Sequence, residues 1–417
     1  MFQVLSGAWA LLLGMMLLQV GNGMQGTLLG IRGALEGFST YEMSVVMSSY
    51  FVGFLFGSRM APEMIRRVGH VRVFAALGSM ISAVLILYPT IAEPWAWAVG
   101  RVLIGFCFSG VYVTAESWLN NAATNETRGK ALSLYMIVQM IGIVSAQGLM
   151  VLADPSGYVL FVIPSVLVSL AFAPILLSVS PTPAFGSTKP LTLKQIMKIS
   201  PLGCVGMLLT GGVFAAQFGM SAVYGAEAGL SVGQISAFVA SFYVAAMLVQ
   251  YPLGWLSDRM DRRKLIAGVS LVTGGGAMIG MLFGDNYWML LTAAFLVGGS
   301  SNPLYSLLIA YTNDFLEHDD MAAAAGGMVF INGLGAIAGP LMVGWMMSQI
   351  GTGGFFLYIA VLMFAMVLYA LYRMTQRAAP SVRDTDRYMP VSPSASPMAV
   401  EFAQEFAIES SQEAKRE

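Results

Sequence analysis

A guanidinium in the middle of an apolar run is the group with the most chemistry to offer in this chain. Arg101 lies about six residues, roughly 9 Å at helical rise, inside a run that carries no further charge until Glu116. A charge so placed costs at least a few kcal/mol unless it is paired or wetted. Three roles are open to it: binding an anionic group of a solute, modulating a proton site, or anchoring a helix by donating to backbone carbonyls. Uncharged polar groups recur in the other apolar runs. Asn22 and Gln25 sit in GNGMQG at 21–26, where helix propensity is poor, and Gln217, Tyr243 and Asn332 fall in later runs. Amides at that depth are tolerated where a broken helix lines a cavity. Close packing through small residues would account for the glycines but not for the amides. Arg101, Asn22, Gln25, Gln217, Tyr243 and Asn332 are the expected solute-binding set, an amide- and aromatic-lined cavity with one cation.

Catalytic chemistry finds no footing. There is no phosphate-cradling Gly-x-x-x-x-Gly-Lys loop, and Cys107 and Cys204 both lie in apolar runs. His70 and His318 fall in charged loops, where a solvated ring is expected rather than a metal ligand. Neither an enzyme, a cofactor, a metal nor a nucleic-acid partner is expected, and without an ATP site any transport work must draw on a gradient.

The elements that must hold these groups are membrane helices. The chain has 417 residues, of which 57% are hydrophobic and 10% charged, against about 25% charged in soluble domains. A span needs roughly 20 apolar residues. Runs of that length fall near 6–31, 41–60, 72–92, 95–116, 130–152, 157–179, 202–224, 233–256, 265–283, 287–312, 322–348 and 354–375. Twelve spans, all helical because lipid leaves the backbone no other partner, divide at a Pro- and Lys-bearing linker. The expected organisation is a first six-helix bundle at 1–179, a cytoplasmic linker at 180–200, a second bundle at 201–376 and a polar, disordered cytoplasmic tail at 377–417, with a short acidic amphipathic helix at 399–416, on a partner or a neighbouring loop, as the alternative. With both ends cytoplasmic, 19 of the 21 Lys and Arg fall on the inner side or in the tail. A multi-pass protein of the inner membrane, working as a monomer, is the corresponding expectation.

The two halves repeat. At a constant offset of 192, Gly37, Ser39, Ser44, Ser49 and Val52 meet identical residues at Gly229, Ser231, Ser236, Ser241 and Val244. The same offset carries Arg66 and Arg67 onto Asp258 and Arg259 in the loop GWLSDRMDRRK at 254–264. Two bundles related by a repeat, with a site at their interface near the midplane, is transporter architecture.

Several of these stretches resemble the major facilitator superfamily. Gly254, Asp258, Arg259, Arg262 and Arg263 match its G-x-x-x-D-R-x-G-R-R loop, with Asp261 in place of the usual Gly. Arg101 and Gly105 resemble part of the R-x-x-x-G-x-G signature of proton-coupled members, with Cys107 at the second Gly. SSYFVG at 48–53, the R-V-G-x-x-R run from Arg67 to Arg72, Glu116 with Arg128 and Gly129, and GAIAGP at 335–340 resemble its YcaD-like branch. The resemblance implies an all-α fold of twelve transmembrane helices in two pseudo-symmetric bundles and a secondary transporter of a small organic solute, possibly anionic. It also implies alternating access with proton coupling, in which Glu116, Arg128, Arg67, Asp258, Arg259 and Arg262 form the cytoplasmic gate. Efflux of amphiphiles, and a transporter-like sensor signalling through its tail, are the competing readings. Span five lacks the Gly-Pro pair of drug antiporters, which lowers the efflux reading.

Overall fold

The computed structural model describes residues 2–122, 127–177, 191–378, 380–381, 385 and 387–414. The described segments fold as helices and their connections. The first half comprises α1 (Phe2–Leu35), α2 (Thr40–Val68), α3 (His70–Leu87), α4 (Pro94–Ala122), α5 (Arg128–Leu149) and α6 (Val159–Leu177). A short α7 (Leu193–Ile199) follows, which Thr192 and Gln195 start with reciprocal capping bonds and Ile196 pins by burial. The second half comprises α8 (Pro201–Ala215) continued through a π turn (Ala216–Met220) into α9 (Ser221–Glu227), then α10 (Val232–Ser257), α11 (Arg262–Phe283), α12 (Tyr287–Asn313), α13 (His318–Ile350) and α14 (Gly353–Gln376). Among the described residues, nine helices are apolar and long enough to cross a membrane by themselves. With α1 and α2, whose apolar runs are diluted by amides and serines, and α6, they make twelve crossings.

Helix pairing repeats between the halves. The first packs α2 and α3 on α4, α3 on α6, and α1 on α5 and α6; the second packs α10 and α11 on α12, α11 on α14, and α8 on α13 and α14. Each pair recurs six spans later, as a duplicated bundle requires. The repeat reaches the caps: Gly37 and Gly229 both hold positive φ (78° and 71°), a conformation costly to any side chain. Two residues on, Ser39 and Ser231 each cap their helix by a reciprocal bond with Glu42 and Gln234. Between the halves, α2 lies on α13, α5 on α10, and α1 on α9.

Three expectations are corrected. Span one is not broken: α1 runs unbroken from Phe2 to Leu35. Its glycines serve packing, since a side chain at Gly21 would meet Val168 and one at Gly23 would meet Ala146. The interruption is in span seven, as the π turn. The tail, expected to be disordered, contains α15 (Pro397–Ala414), which buries Ala399, Val400, Phe402, Ala403 and Ala407. Spacing of three and four places these on one stripe, with Glu401 and Glu405 on the other side, which is the alternative expectation of an amphipathic helix. His70 is also not solvated, being buried with Nε2 3.1 Å from Ser117 Oγ.

Candidate functional site

A narrow cavity of about 30 Å³ lies between the halves. The first half contributes Gln19 and Asn22 from α1, Tyr50, Phe51, Phe54 and Leu55 from α2, and Met140 and Ile143 from α5. The second contributes Phe214 and Phe218, which flank the start of the π turn, with Tyr243, Asn302, Val329 and Asn332. Ser392, Pro393 and Ser394 of the tail complete the wall.

The polar lining is ordered by hydrogen bonds among side chains. Asn22 Nδ2 donates to Tyr112 Oη at 3.0 Å and to Tyr50 Oη at 3.4 Å. Tyr112 Oη donates to Gln19 Oε1 at 2.7 Å, and Gln19 Nε2 to Gln139 at 2.9 Å. Across the cavity, Asn302 donates to Gln217 Oε1 at 3.1 Å, Gln217 to Ser301 Oγ at 2.6 Å, and Asn332 to the Met207 carbonyl at 3.1 Å. Buried amides held in this way cost little, whereas an amide stripped of its partners costs about 1–3 kcal/mol. Between the polar ends stands an aromatic cluster, with Tyr50 and Phe218 at 5.4 Å between centroids and Phe214 and Phe218 stacked at 5.8 Å. Amide donors and acceptors at the ends and ring faces along the wall can hold a solute that is itself planar and hydrogen-bonding.

Of the residues expected to bind solute, Asn22, Tyr243 and Asn332 line the cavity. Gln25 and Gln217 stand one bond behind it, donating to Asn22 at 3.1 Å and accepting from Asn302 respectively. Arg101 is also set back: its guanidinium is fully buried and lies 4.7 Å from the ring centre of Tyr50, which separates it from the cavity. Gly53 and Gly105 permit this, because a side chain at either would strike the backbone of Val102 or Tyr50 on the facing helix. Among the described residues, Arg101 Nε, Nη1 and Nη2 make no hydrogen bond, so it does not anchor carbonyls. Gln19 carried a signal in its spacing, three residues before Asn22 on the same helix face; Tyr50, Phe214 of α8 and Phe218 of the π turn carried none beyond their apolarity.

The two faces differ. On the face opposite the basic loops the halves meet directly. Gly30 lies against Ala222, Gly344 against Ser44, Ser48 Oγ donates to the Ile337 carbonyl at 2.6 Å, and Thr40 Oγ1 to Glu227 at 2.9 Å. On the basic face Asp258 and Arg262 are paired at 3.6 Å, and the other expected gate residues are dispersed. Arg67 pairs with Glu63 within α2 at 2.7 Å, and Arg259 stacks on Trp255 at 4.3 Å. Arg262 is buried within the second half, ion-paired with Asp314 and donating to the Ala310 carbonyl at 3.2 Å. The side chain of Arg128 lies outside the described part. Glu116 and Asp258 instead receive the tail: the N–H and hydroxyl of Ser396 donate to Glu116, and the N–H of Tyr388 donates to Asp258 at 2.7 Å. Partial burial holds the Asp258 carboxyl above its usual range.

Two duplicated helical bundles around a central cavity, sealed on one face, define a multi-pass membrane transporter. The comparisons agree. A model of the Major Facilitator Superfamily matches residues 202–399, and one described as Sugar (and other) transporter matches 14–185. An uncharacterized MFS-type transporter YcaD of Salmonella typhi is 25% identical over 374 residues, covering 89% of this chain and 96% of that protein. A Yersinia pestis relative of the same description is 25% identical over 376 residues. Among solved structures, the nucleoside transporter NupG superposes with a TM-score of 0.70 at 13% identity, over 87% of this chain and 98% of that one. A bacterial homolog to the human lysosomal transporter Spinster, in an inward-facing and unoccupied conformation, gives 0.66 at 13% over 97% of each. The second half of this chain thus matches the Major Facilitator Superfamily model, and the chain as a whole is similar to MFS-type transporters.

Proposed function

We infer that this chain is a secondary transporter of a small organic solute, driven by a proton gradient and working by alternating access of residues 1–179 against 201–376. The basic face is cytoplasmic in this reading, because Lys and Arg near span ends are retained on that side. One observation carries it: the cavity draws amides and rings from both halves while α1 with α9 and α2 with α13 close the opposite face. Such a cavity changes side when the halves rock. The lining favours an uncharged or weakly charged, planar, hydrogen-bonding solute, because Asn22, Asn302 and Asn332 face it while Arg101 stands behind Tyr50. An anionic solute would have to displace the Tyr50 ring to reach that guanidinium. Glu116 and Asp258 belong to the inner gate, engaged with the tail in the state described.

The test is a thermal-shift screen of purified protein against nucleosides, vitamins and carboxylates, followed by flux of each hit in proteoliposomes with an imposed pH gradient. A hit that accumulates with the gradient, and is lost on Asn22→Leu, supports the reading. Hits that bind without moving would make the chain a sensor, and flux indifferent to pH would make it a uniporter.

A further inference from the structure

The tail clamps both halves at the basic mouth. On the second half, Tyr388 lies over Gly254, where any side chain would meet its ring, and its hydroxyl accepts from Gln250 at 2.8 Å. Val391 exchanges two hydrogen bonds with Ser306, at 2.8 and 2.9 Å. On the first half, Phe406 lies over Gly129 in the same way, and Ser396 is held by the buried Glu116 carboxylate, which also accepts from Tyr135 at 3.2 Å. Gln404 donates to Asn313 at 2.9 Å, returning the contact to the second half. Between the two anchorages, Ser392 and Ser394 stand in the wall of the solute cavity. Val400 and Phe402 are fully buried, so the helix is seated rather than laid on the surface.

We propose that residues 388–407 are a resident plug, which occupies the solute's route from the basic face and locks the halves together until it leaves. The inference rests on the transport reading above for its purpose, though not for its geometry. A docked plug reduces apparent solute affinity by the fraction of molecules from which it is absent. It also opposes rocking, since Tyr388 and Ser396 hold residues of different halves.

The test reads access and not flux. Cys107 and Cys204 are replaced by Ala in the full-length protein, Ala336→Cys places a thiol in the cavity wall, and a charged methanethiosulfonate reagent is applied from the basic face. Phe402→Asp releases the plug, with Val400→Asp added where one charge does not suffice; amide hydrogen exchange of residues 391–404 reports the release. Labelling is expected to accelerate about tenfold or more, the ratio set by a plug docked in roughly nine molecules of ten. An unchanged rate with the tail amides freed overturns the proposal, and so do tail amides that exchange freely in the unaltered sequence. A protein that moves no solute would still show the acceleration, so the plug and the transport reading fail separately.

Discussion

Replacing Arg101 by Met separates a functional cation from a structural one. The guanidinium is fully buried, and none of its three nitrogens donates a hydrogen bond to the described residues. Its one described favourable contact is the face of Tyr50 at 4.7 Å. Placing Arg at mid-membrane depth costs about 3 kcal/mol on insertion scales, and a desolvated cation–π contact returns about 2 kcal/mol. Met is close in volume and unbranched, so repacking costs less than about 1.5 kcal/mol. The balance leaves Arg101→Met between about 0.5 kcal/mol less and about 1 kcal/mol more stable, and its melting midpoint within about 3 °C of the unaltered protein. Binding of an uncharged solute should persist, because Tyr50 separates the guanidinium from the cavity, whereas flux should fall with the loss of the charge. The assay is intrinsic tryptophan fluorescence melting of both proteins in one detergent at one scan rate, paired with ligand-induced shift. An anchor that donates to several carbonyls would lose about 1–1.5 kcal/mol for each bond. A midpoint lowered by more than about 5 °C would therefore refute the reasoning.

Removing one partner of the buried Arg262–Asp314 pair, as in Arg262→Leu, should cost about 3–5 kcal/mol, read as lost expression or a lowered midpoint, whereas the paired Arg262→Leu/Asp314→Leu change should recover much of it. Gly229→Ala and Gly37→Ala, each at positive φ in open space, should each lose about 1–2 kcal/mol from backbone strain alone; equal losses at the two sites in thermal melts would mark them as equivalent turns. Burial, and then the neighbouring Glu405, raise the Glu401 carboxyl in the docked tail. Protonation therefore favours docking, which is strongest below the free tail's carboxylate range and weakens as pH rises through the docked value. Amide exchange of residues 397–407, corrected for its intrinsic pH dependence, should show greater protection at acidic than at neutral pH.

Much of the fold was legible because lipid reduces the choices: each apolar run of sufficient length must be a helix, and the 192-residue offset marked the duplication down to Ser39 and Ser231. The site was legible where a residue type is intolerable elsewhere, as with Asn22 and Asn332, which are too polar to face lipid. Which way Arg101 points was not, because it depends on how closely α2 and α4 approach at Gly53 and Gly105, a property of two helices and not of one. The seating of the tail helix was not legible for a related reason, although its amphipathic pattern at 399–416 was. Its buried stripe is built from alanines and two larger residues, and it gains stability only from the notches at Gly129 and Gly254 that receive Phe406 and Tyr388. The gate residues were found by resemblance, yet their partners were not, since Ser396 and Tyr388 lie in sequence that reads as solvent-exposed.

The π turn at 216–220 acts as a phase slip in span seven. One additional residue turns everything beyond it by about 100° relative to an uninterrupted α-helix, which is how Ala222 comes to face Gly30. Deleting a single residue from that turn would restore the regular winding and swing Ala222 and Val223 off the neighbouring span. The far vestibule would then stand ajar, with the cavity-lining ring of Phe214, which precedes the turn, in place. A thiol at Ala222 that reacted no faster in the deletion variant would show that the seal does not depend on winding.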